Sequence, residues 1–570
     1  MKCLARLFFY FLIFTLFLSG CGGQQSAIQN TPEVFTAFTV APLDVTATPF
    51  QPEVVVNTPT TLPPAVQIGA SVPPVLRAQA ESLGVDLILD VSPVTSLNVP
   101  ATETQIQWVY VVAAPFPTVR DDVTLDELKG AWSGSTSPEL FNGQPILMDE
   151  STLAAFTALW DAPASGSVRS VASDQVLDTA WAESTWAIIP FEDIAPRWKV
   201  LTIDGQSPIR KGFDVASYPL VAQFTLQASG TIDPASLNLF SSNYDSSKLT
   251  TVVLTGVTAL VRATAYRMEK KGITYPGEGI RDILQEADIA HISNEIPFLT
   301  GCPYPDPNSG RLVFCSDSKY MGLLTDVGVD VVELTGNHFA DYGRAAMEET
   351  LAIYKSNNVP YFGGGADLQD SFQPALFDIN GNKIAFLGCN MPDVGGPKVA
   401  AENHSGAAPC DFDYFTVKIG ELKAQGYLVI FTFQWFEDYY ASPNLKQVRD
   451  FQRVADAGAT IVSGSQAHFP KTMEFYNDTF IHYGLGNLFF DQMGNLKWMP
   501  EGIRREFIDR YVIYDGQLVS VELLTNMLED FSRPRMMTAE ERSAFLQEYF
   551  TESGWQPITD LPAPNGTSVP

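Results

Sequence analysis

The sequence is poor in basic residues: 35 lysines and arginines stand against 65 aspartates and glutamates, which leaves a formal net charge of −30. A surface with this charge repels a phosphate backbone, so we do not expect nucleic acid as a partner. The same charge disfavours adsorption to anionic lipid head groups. Any attachment to a membrane must therefore be hydrophobic or covalent.

The amino terminus lacks an apolar run as long as the about 20 residues that a spanning helix needs. Lys2 and Arg6 lead into the short run LFFYFLIFTLFL, which ends in Leu18-Ser19-Gly20-Cys21. This ending resembles the bacterial lipobox, whose cysteine is lipidated and becomes the new N-terminus. We expect residues 1–21 to be a lipoprotein signal peptide and Cys21 to anchor the protein outside the cytoplasm. An uncleaved anchor and plain secretion are the alternatives.

Cysteine is scarce, and no C-x-x-C spacing occurs, so a structural zinc site is disfavoured. Removal of the leader also removes Cys3 and leaves four thiols besides the lipidated one. An even number of thiols in an oxidising compartment indicates disulfides. The simplest pairing is Cys302 with Cys315 and Cys389 with Cys410, although other pairings stay open.

The first 240 residues divide into a leader, a linker and a first domain. Residues 22–74 are rich in Thr, Pro, Gln and Val and predict an extended linker. Residues 75–240 alternate strand-like and helix-like segments, which predicts a small α/β domain with a parallel or mixed sheet. Its segments TLDELKGAWSG and AIIPFEDIAPRWKVLTIDGQSP resemble periplasmic solute-binding proteins of the phosphate type. Solute binding and an inherited scaffold without a ligand are both open.

A second α/β domain is predicted for residues 249–551, followed by a Pro-rich tail at 552–570. Hairpin signals at Asn380-Gly381, Asn477-Asp478 and Asp515-Gly516 add antiparallel strands to its sheets. Its polar candidates follow successive strand-like runs: Glu295, Asn337, His338, Gln434, Glu437, Asp438, His468 and Asn487. Carboxylate, amide and imidazole groups at neighbouring strand ends can converge on one hard or borderline cation.

Several motifs of this second domain resemble the CapA family of capsule or poly-γ-glutamate synthesis proteins, in the order expected of that family. They are ADIAHISNE, GNHFADYG, YFGGGADL, ADAGATIVSGSQAHFPKTMEFY and IHYGLGNLFFD, spread over about Thr251 to Leu528. The resemblance implies a fold like that of calcineurin-type metallophosphatases. We therefore expect an α/β sandwich of two mixed sheets flanked by helices, preceded by the smaller solute-binding-like domain.

The family's site carries over only in part. Val257 stands where the family has a metal-binding aspartate, and Gln434 and Gln466 stand at two histidine positions. The resemblance leaves Glu295, Asn337 and His468 as metal ligands, with His338 and Asp438 as catalytic candidates. Such a set holds at most one divalent cation, and a site without metal is the alternative. Asp341, expected to be a helix N-cap, and His291, His404 and His482 are assigned structural roles.

What the resemblance implies is synthesis, anchoring or remodelling of an anionic surface polymer, with the polymer or its synthesis machinery as partner. A chain this acidic does not attract a polyanion without cations, so a divalent bridge or a purely organising role is required. A single-metal phosphoesterase or peptidase-like hydrolase is one alternative. A non-enzymatic solute-binding receptor or scaffold is the other. Whether the protein is an enzyme is left open.

Overall fold

The computed structural model describes residues 65–91, 101–135, 140–229, 237, 239–391, 398–465, 467–494, 500 and 502–559. The predicted signal peptide, Cys21, most of the linker, Gln466 and the end of the tail lie outside these ranges. Pro63–Pro570 form one compact unit. Across the ranges just given, no helix combines the length and the apolar character needed to cross a membrane.

The first part of this unit is a nine-stranded mixed sheet with helices, as the alternating pattern predicted. Its strands run in the order β1-β2-β9-β3-β7-β5-β6, with β8 pairing β3 and β4. Thr124 and Glu127 form a capping box at the start of α2. The elements are β1 (Val66–Ile68), α1 (Pro74–Ser82), β2 (Leu87–Asp90), β3 (Ala101–Pro115), β4 (Asp122–Val123), α2 (Leu125–Ser133), β5 (Ile146–Met148), α3 (Glu150–Trp160), β6 (Val168–Ser170), α4 (Val176–Glu183), β7 (Ala187–Pro190), β8 (Trp198–Ile203) and β9 (Val221–Ser229).

Both ends of the folded unit reach further along the chain than the predicted linker and tail allow. Strand β1 lies inside the predicted linker and pairs in parallel with β2. Ile558 lies inside the predicted tail, where its amide donates to Pro117 and its side chain is buried. These two boundaries were therefore wrong. They were inferred from side-chain composition, whereas the contacts observed here are made by backbone groups, whose pairing does not depend on composition.

The second part contains two further sheets, one of nine strands in the main order β16-β15-β12-β10-β26-β27-β28 and one of six in the order β18-β19-β21-β22-β24-β23. Its elements are β10 (Leu249–Leu254), β11 (Val257–Thr258), α5 (Arg262–Lys271), α6 (Arg281–Glu286), β12 (Ile289–Asn294), β13 (Phe298–Leu299), β14 (Ser316–Asp317), α7 (Met321–Asp326), β15 (Val331–Glu333), α8 (Gly343–Ser356), β16 (Tyr361–Phe362), β17 (Gly364–Gly365), α9 (Leu368–Ser371), β18 (Ala375–Ile379), β19 (Asn382–Asn390), β20 (Gly406–Ala407), α10 (Phe412–Ala424), β21 (Leu428–Gln434), α11 (Leu445–Asp456), β22 (Ile461–Gly464), β23 (Met473–Tyr476), β24 (Thr479–His482), β25 (Asn487–Phe489), β26 (Arg505–Tyr514), β27 (Gln517–Glu529), β28 (Arg533–Met536) and α12 (Ala539–Glu552).

These two sheets form the predicted sandwich. The larger sheet is parallel from β16 to β10 and antiparallel from β10 to β28. The smaller sheet has parallel strands at its centre and one antiparallel strand at each edge. Val252 and Ile289 of one sheet share a buried core with Phe386 and Ile430 of the other. Separate apolar clusters pack α7 and α8 on the outside of the larger sheet and α10 and α11 on the outside of the smaller one. The carboxyl ends of the parallel strands therefore meet along one edge of the sandwich.

Two disulfides form in the second part, and both are the simplest pairs predicted. Cys302 bonds Cys315, and Cys389 at the end of β19 bonds Cys410. The first disulfide closes the loop that carries Phe314, whose ring lies against the candidate site described below. The second ties the end of a central strand to the segment that leads into α10.

The two parts pack against each other within the compact unit, although a boundary was predicted between residues 240 and 249. Phe116, which follows β3, lies among the rings of Phe475, Phe480, Phe550 and Trp555. An ion pair between Arg210 and Glu522 also joins the two parts. The first sheet is thus attached through both apolar and charged contacts.

Candidate functional site

The candidate site lies where the parallel strands of the two sandwich sheets end. Glu295 follows β12, and Asn337 and His338 follow β15 in the larger sheet. Gln434 ends β21, and His468 follows β22 in the smaller one. A buried hydrogen bond, 2.7 Å from Ser465 Oγ to Glu333 Oε1, joins the two sheets here. Strand ends of open α/β sheets are the usual place for a site.

Glu295 and His468 form the centre of the site. His468 Nε2 lies 3.7 Å from Glu295 Oε1, and the side chains are 6% and 2% exposed. The imidazole ring also stacks on Phe490, with 5.1 Å between ring centroids. A carboxylate and an imidazole at this separation form an ion pair, or they share one cation.

A chain of hydrogen bonds holds the other side of the His468 ring. His468 Nδ1 lies 2.8 Å from Asn487 Oδ1, Asn487 Nδ2 donates to Gln492 Oε1 at 2.9 Å, and Gln492 Nε2 donates to the Tyr439 hydroxyl at 3.4 Å. The Tyr439 hydroxyl in turn donates to Glu437. Along this chain every hydrogen bond is donated in the direction of Glu437. Asn487 therefore directs its side-chain oxygen at His468, and His468 Nδ1 carries the proton that Asn487 accepts. Nε2 is therefore the nitrogen that faces Glu295.

His338 stands next to this pair and is held by Asp341. His338 Nδ1 lies 2.7 Å from Asp341 Oδ2, and the same carboxylate oxygen accepts the Phe314 amide at 2.8 Å. The expectation that Asp341 caps the following helix was wrong, because α8 begins at Gly343 and makes no side-chain cap bond. Asp341 instead orients His338 and fixes the disulfide-closed loop beside it.

Arg262 completes the surroundings of Glu295. Its guanidinium pairs with Asp491 and lies between the rings of Phe314 and Phe490, about 5 Å from each centroid. Arg262 and His468 both adopt positive φ values, +43° and +53°. Non-glycine residues rarely adopt such values, and strained backbone of this kind clusters at functional sites.

The electrostatics of the site follow from these contacts. Burial raises the pKa of Glu295, but the nearby rings of His468 and His338 and the Arg262 guanidinium outweigh it and hold the pKa below its usual value. Burial lowers the pKa of His468, and the charge of Glu295 more than reverses this. The pKa of His338 is raised in the same way by Asp341 and Glu295. Each imidazole therefore favours its protonated form beside a carboxylate.

Asn337 adds an oxygen without a partner. Its Oδ1 is buried and has no hydrogen-bond partner among the residues described. The preceding Gly336 packs directly on Glu295, since a Cβ there would meet the Glu295 backbone oxygen at 2.4 Å. This close approach brings the Asn337 loop to Glu295 and explains why a larger residue does not fit at 336.

Asp438, predicted as catalytic, is engaged elsewhere. Its carboxylate pairs with the fully buried Lys471, which also donates to the Tyr440 carbonyl at 2.9 Å. The neighbouring Glu437 and Tyr439 are the residues of this loop that connect to His468. Asp438 therefore fixes the position of the loop.

Three histidines assigned structural roles have partners of their own. His482 pairs with Asp509, and His291 lies 3.3 Å from Glu333. His404 contacts the Ser405 carbonyl.

Comparison with known proteins identifies the second part. Residues 251–492 match the family model described as bacterial capsule synthesis protein PGA_cap. The PGA biosynthesis protein CapA of Bacillus subtilis is 34% identical over 179 residues, which cover 31% of this chain and 47% of that protein. Residues 251–492 form a domain of the CapA family. The chain spans between 47% and 60% of the length of the curated relatives that it matches.

Similarity to solved structures is weaker. A phosphatase from Mycoplasma pneumoniae is 12% identical, covers 49% of this chain and 93% of its own, and gives a TM-score of 0.33. A phosphate transport receptor from Vibrio cholerae is 10% identical, covers 30% of this chain and 89% of its own, and gives a TM-score of 0.24. At TM-scores this low, the similarities support no conclusion about the fold beyond the strand order already described.

The separation of Glu295 and His468 is compatible with one divalent cation between them. Two ligand atoms about 2.0–2.2 Å from one tetrahedral cation lie about 3.4 Å apart, close to the separation of Glu295 and His468. The Asn337 oxygen, buried without a hydrogen-bond partner, lies on the loop that packs on Glu295. The described ranges contain no group of three or more His, Cys, Asp or Glu side chains placed to hold a metal. At the lost positions Val257 is apolar and buried, and Gln434 contributes only an amide oxygen without a hydrogen-bond partner.

Arg262 and Gln492 are among the residues of this site that were not singled out from the sequence. Gln492 acts through Asn487, whereas Arg262, which pairs with Asp491, acts on Glu295 through its charge. Spacing along the chain carries no signal for such contacts. Only the position of Gln492 shortly after the GLGN turn hints at a connection.

Proposed function

We propose that this protein is an accessory protein in the synthesis, anchoring or remodelling of an anionic capsule polymer of the poly-γ-glutamate type. The family match over residues 251–492 supports the process. The geometry of Glu295 and His468, with Nε2 directed at the carboxylate, supports a site that takes one divalent cation. This pair is the single observation on which the role of the site depends.

The residues of the site have different roles in binding a carboxylate of the polymer. A bound divalent cation supplies the positive charge that a chain with a net charge of −30 otherwise lacks. Glu295, His468 and Asn337 would hold that cation, and the Asn487 oxygen would keep His468 in the tautomer whose Nε2 can bind metal. His338, oriented by Asp341, is placed to donate a hydrogen bond to a bound anion.

Cation-dependent binding of the polymer tests this proposal. We expect the purified chain to retain poly-γ-glutamate in equilibrium dialysis with Mn²⁺ and to release it in EDTA. Glu295→Gln should weaken Mn²⁺ binding at least as much as the about 10–100-fold loss that follows from removing a ligand's hydrogen-bond partner. Glu402→Gln, an exposed carboxylate, is the matched control and should change neither affinity.

Two results would contradict different parts of the proposal. Polymer binding that persists in EDTA or in Glu295→Gln would show that the cation site plays no part in it. Tight Mn²⁺ binding without any retention of polymer would support the cation site but contradict the proposal that the polymer binds there.

A single-metal hydrolase is the second candidate, favoured by the orientation of His338. Its Nδ1 is held by Asp341 and its pKa is raised, which suits a general acid. Incubation of the same proteins with poly-γ-glutamate and with a phosphodiester distinguishes the two functions. Cleavage that requires both Mn²⁺ and His338, and is lost in His338→Gln, would establish the hydrolase.

We also propose that Cys21 anchors the protein to the outer face of the cell membrane. The basic residues Lys2 and Arg6, the short apolar run and the Leu-Ser-Gly-Cys ending support this location. Cys21→Ser should move the protein from the membrane fraction to the soluble fraction of cells, whereas Cys3→Ser should not. Membrane retention of Cys21→Ser would indicate an uncleaved anchor instead.

A further inference from the structure

A cavity of about 760 Å³ lies at the junction of the first sheet and the turn between β26 and β27. Its volume falls within the range of about 300–1,000 Å³ typical of small-molecule sites, which often lie between packed domains. The side chains on which the following argument rests are those of Trp108, Glu192, Phe213, Asn243, Tyr244 and Tyr514. None of them belongs to the Glu295–His468 site.

Two tyrosines form an ordered aromatic wall of this cavity. The rings of Tyr244 and Tyr514 are nearly parallel, at 16°, with 6.3 Å between centroids. Phe191 packs edge-on against both rings, at 5.0 and 4.9 Å. The Tyr514 hydroxyl accepts the Asp245 amide at 2.8 Å. These contacts fix the orientation of both rings before any ligand binds.

Glu192 presents a carboxylate held by two neutral donors. Trp108 Nε1 donates to one oxygen at 3.0 Å, and Asn243 Nδ2 donates to the other. Asn243 is itself fixed, because its amide exchanges hydrogen bonds with both backbone groups of Val109, at 2.7 and 2.9 Å. Burial among the cavity walls raises the pKa of Glu192 to about 7, while the residue remains exposed enough for a ligand to reach it.

The cavity lacks a compensating positive charge. Glu192, Asp245 and Asp515 line it together with one cation, Lys248, which pairs with Asp515 at 2.9 Å. In the part of the chain that the structure describes, Glu192 has no lysine or arginine in an ion pair. A carboxylate crowded by protein atoms without a counter-charge favours a cationic ligand, and aromatic faces attract cations as well.

We propose that this cavity binds an organic cation, a ligand that carries a quaternary ammonium or protonated amine group. The ammonium group lies against the faces of Tyr244 and Tyr514, and Glu192 supplies the counter-charge. The remaining apolar wall, formed by Phe213, accommodates a short hydrocarbon portion. The cavity gives the first part of the chain a ligand of its own, separate from the polymer proposed for the CapA domain.

Calorimetric titration with choline and with its uncharged isostere 3,3-dimethyl-1-butanol tests the charge requirement on the unaltered full chain. We expect choline to bind at least about tenfold more tightly, because cation–π contact and a counter-charge contribute at this scale. Equal affinity for the two probes would overturn the proposal, and so would failure of both choline and benzyltrimethylammonium to bind. This comparison needs no variant, so it does not depend on the folding of one.

Variants then test the residues. Glu192→Gln and Tyr514→Leu should each weaken choline binding about tenfold, while Glu348→Gln removes the same charge from an exposed position on α8 and should leave it unchanged. Thermal unfolding of each variant confirms that it is folded. Unchanged choline affinity in folded Glu192→Gln would show that the carboxylate does not recognise the ligand.

Discussion

Asp509→Ala is expected to lower the free energy of unfolding by about 3–5 kcal/mol. Asp509 and His482 form an ion pair 2.6 Å apart, and neither side chain has any exposed surface. The other ring nitrogen, His482 Nε2, faces the Lys471 carbonyl at 3.1 Å. The Tyr511 hydroxyl also donates to the Asp509 carboxylate, at 2.9 Å, so this carboxylate holds two buried polar groups. Removal of the carboxylate leaves His482 Nδ1 and the Tyr511 hydroxyl buried without this partner, and each such group costs about 1–3 kcal/mol.

Chemical denaturation of the wild type and three variants measures this effect. Asp515→Asn is the control, because this exposed carboxylate on the same hairpin pairs with Lys248 at the surface and contributes at most about 1 kcal/mol. Asparagine also tolerates the positive φ of +51° at this turn. The double variant His482→Leu with Asp509→Leu should recover most of the loss, since apolar replacement of a buried pair is often neutral. A loss below about 1 kcal/mol in Asp509→Ala would show that this carboxylate does not stabilise the buried contacts of His482 and Tyr511.

Phe116→Ala should lower the free energy of unfolding by about 3–5 kcal/mol, the usual cost of truncating a buried phenylalanine. Phe116 is 3% exposed and contacts four aromatic rings of the second part, with centroids 5.1–6.0 Å away. The cavity left by the ring would lie between the first sheet and the CapA domain. Because these regions form one compact unit, we expect them to unfold together at a lower temperature.

Differential scanning calorimetry distinguishes a single unfolding transition of both parts from two separate transitions. Phe240→Ala is the control, since this phenylalanine is 50% exposed and its truncation should cost little. If Phe116→Ala instead produced two separate transitions with the second at the wild-type temperature, the two parts would be independent domains. That result would restore the boundary predicted between residues 240 and 249.

The sequence predicted the mixed sheets and the disulfides, but not which loop residues face the site. Strand periodicity and turn signals depend on neighbouring residues, so they are legible from the chain alone. The roles of Glu437 and Asp438 cannot be inferred from the chain alone, because adjacent side chains in a loop can point to opposite sides of the backbone. Lys471 forms an ion pair with Asp438, and Glu437 accepts a hydrogen bond from Tyr439. A buried lysine more than thirty residues away decided this.

The sequence by itself determined the order of strands and helices, the placement of Glu295, Asn337 and His468 at strand ends, and the apolar residue at Val257. These are properties of residue type and of position within an element. Tertiary structure decided that Glu295 and His468 face each other, that Asn487 orients the ring, and that Asp341 holds His338. Such contacts depend on the direction of each side chain at the edge of the packed sheets. That direction is set by close packing, of which the Gly336 contact on Glu295 is the clearest example.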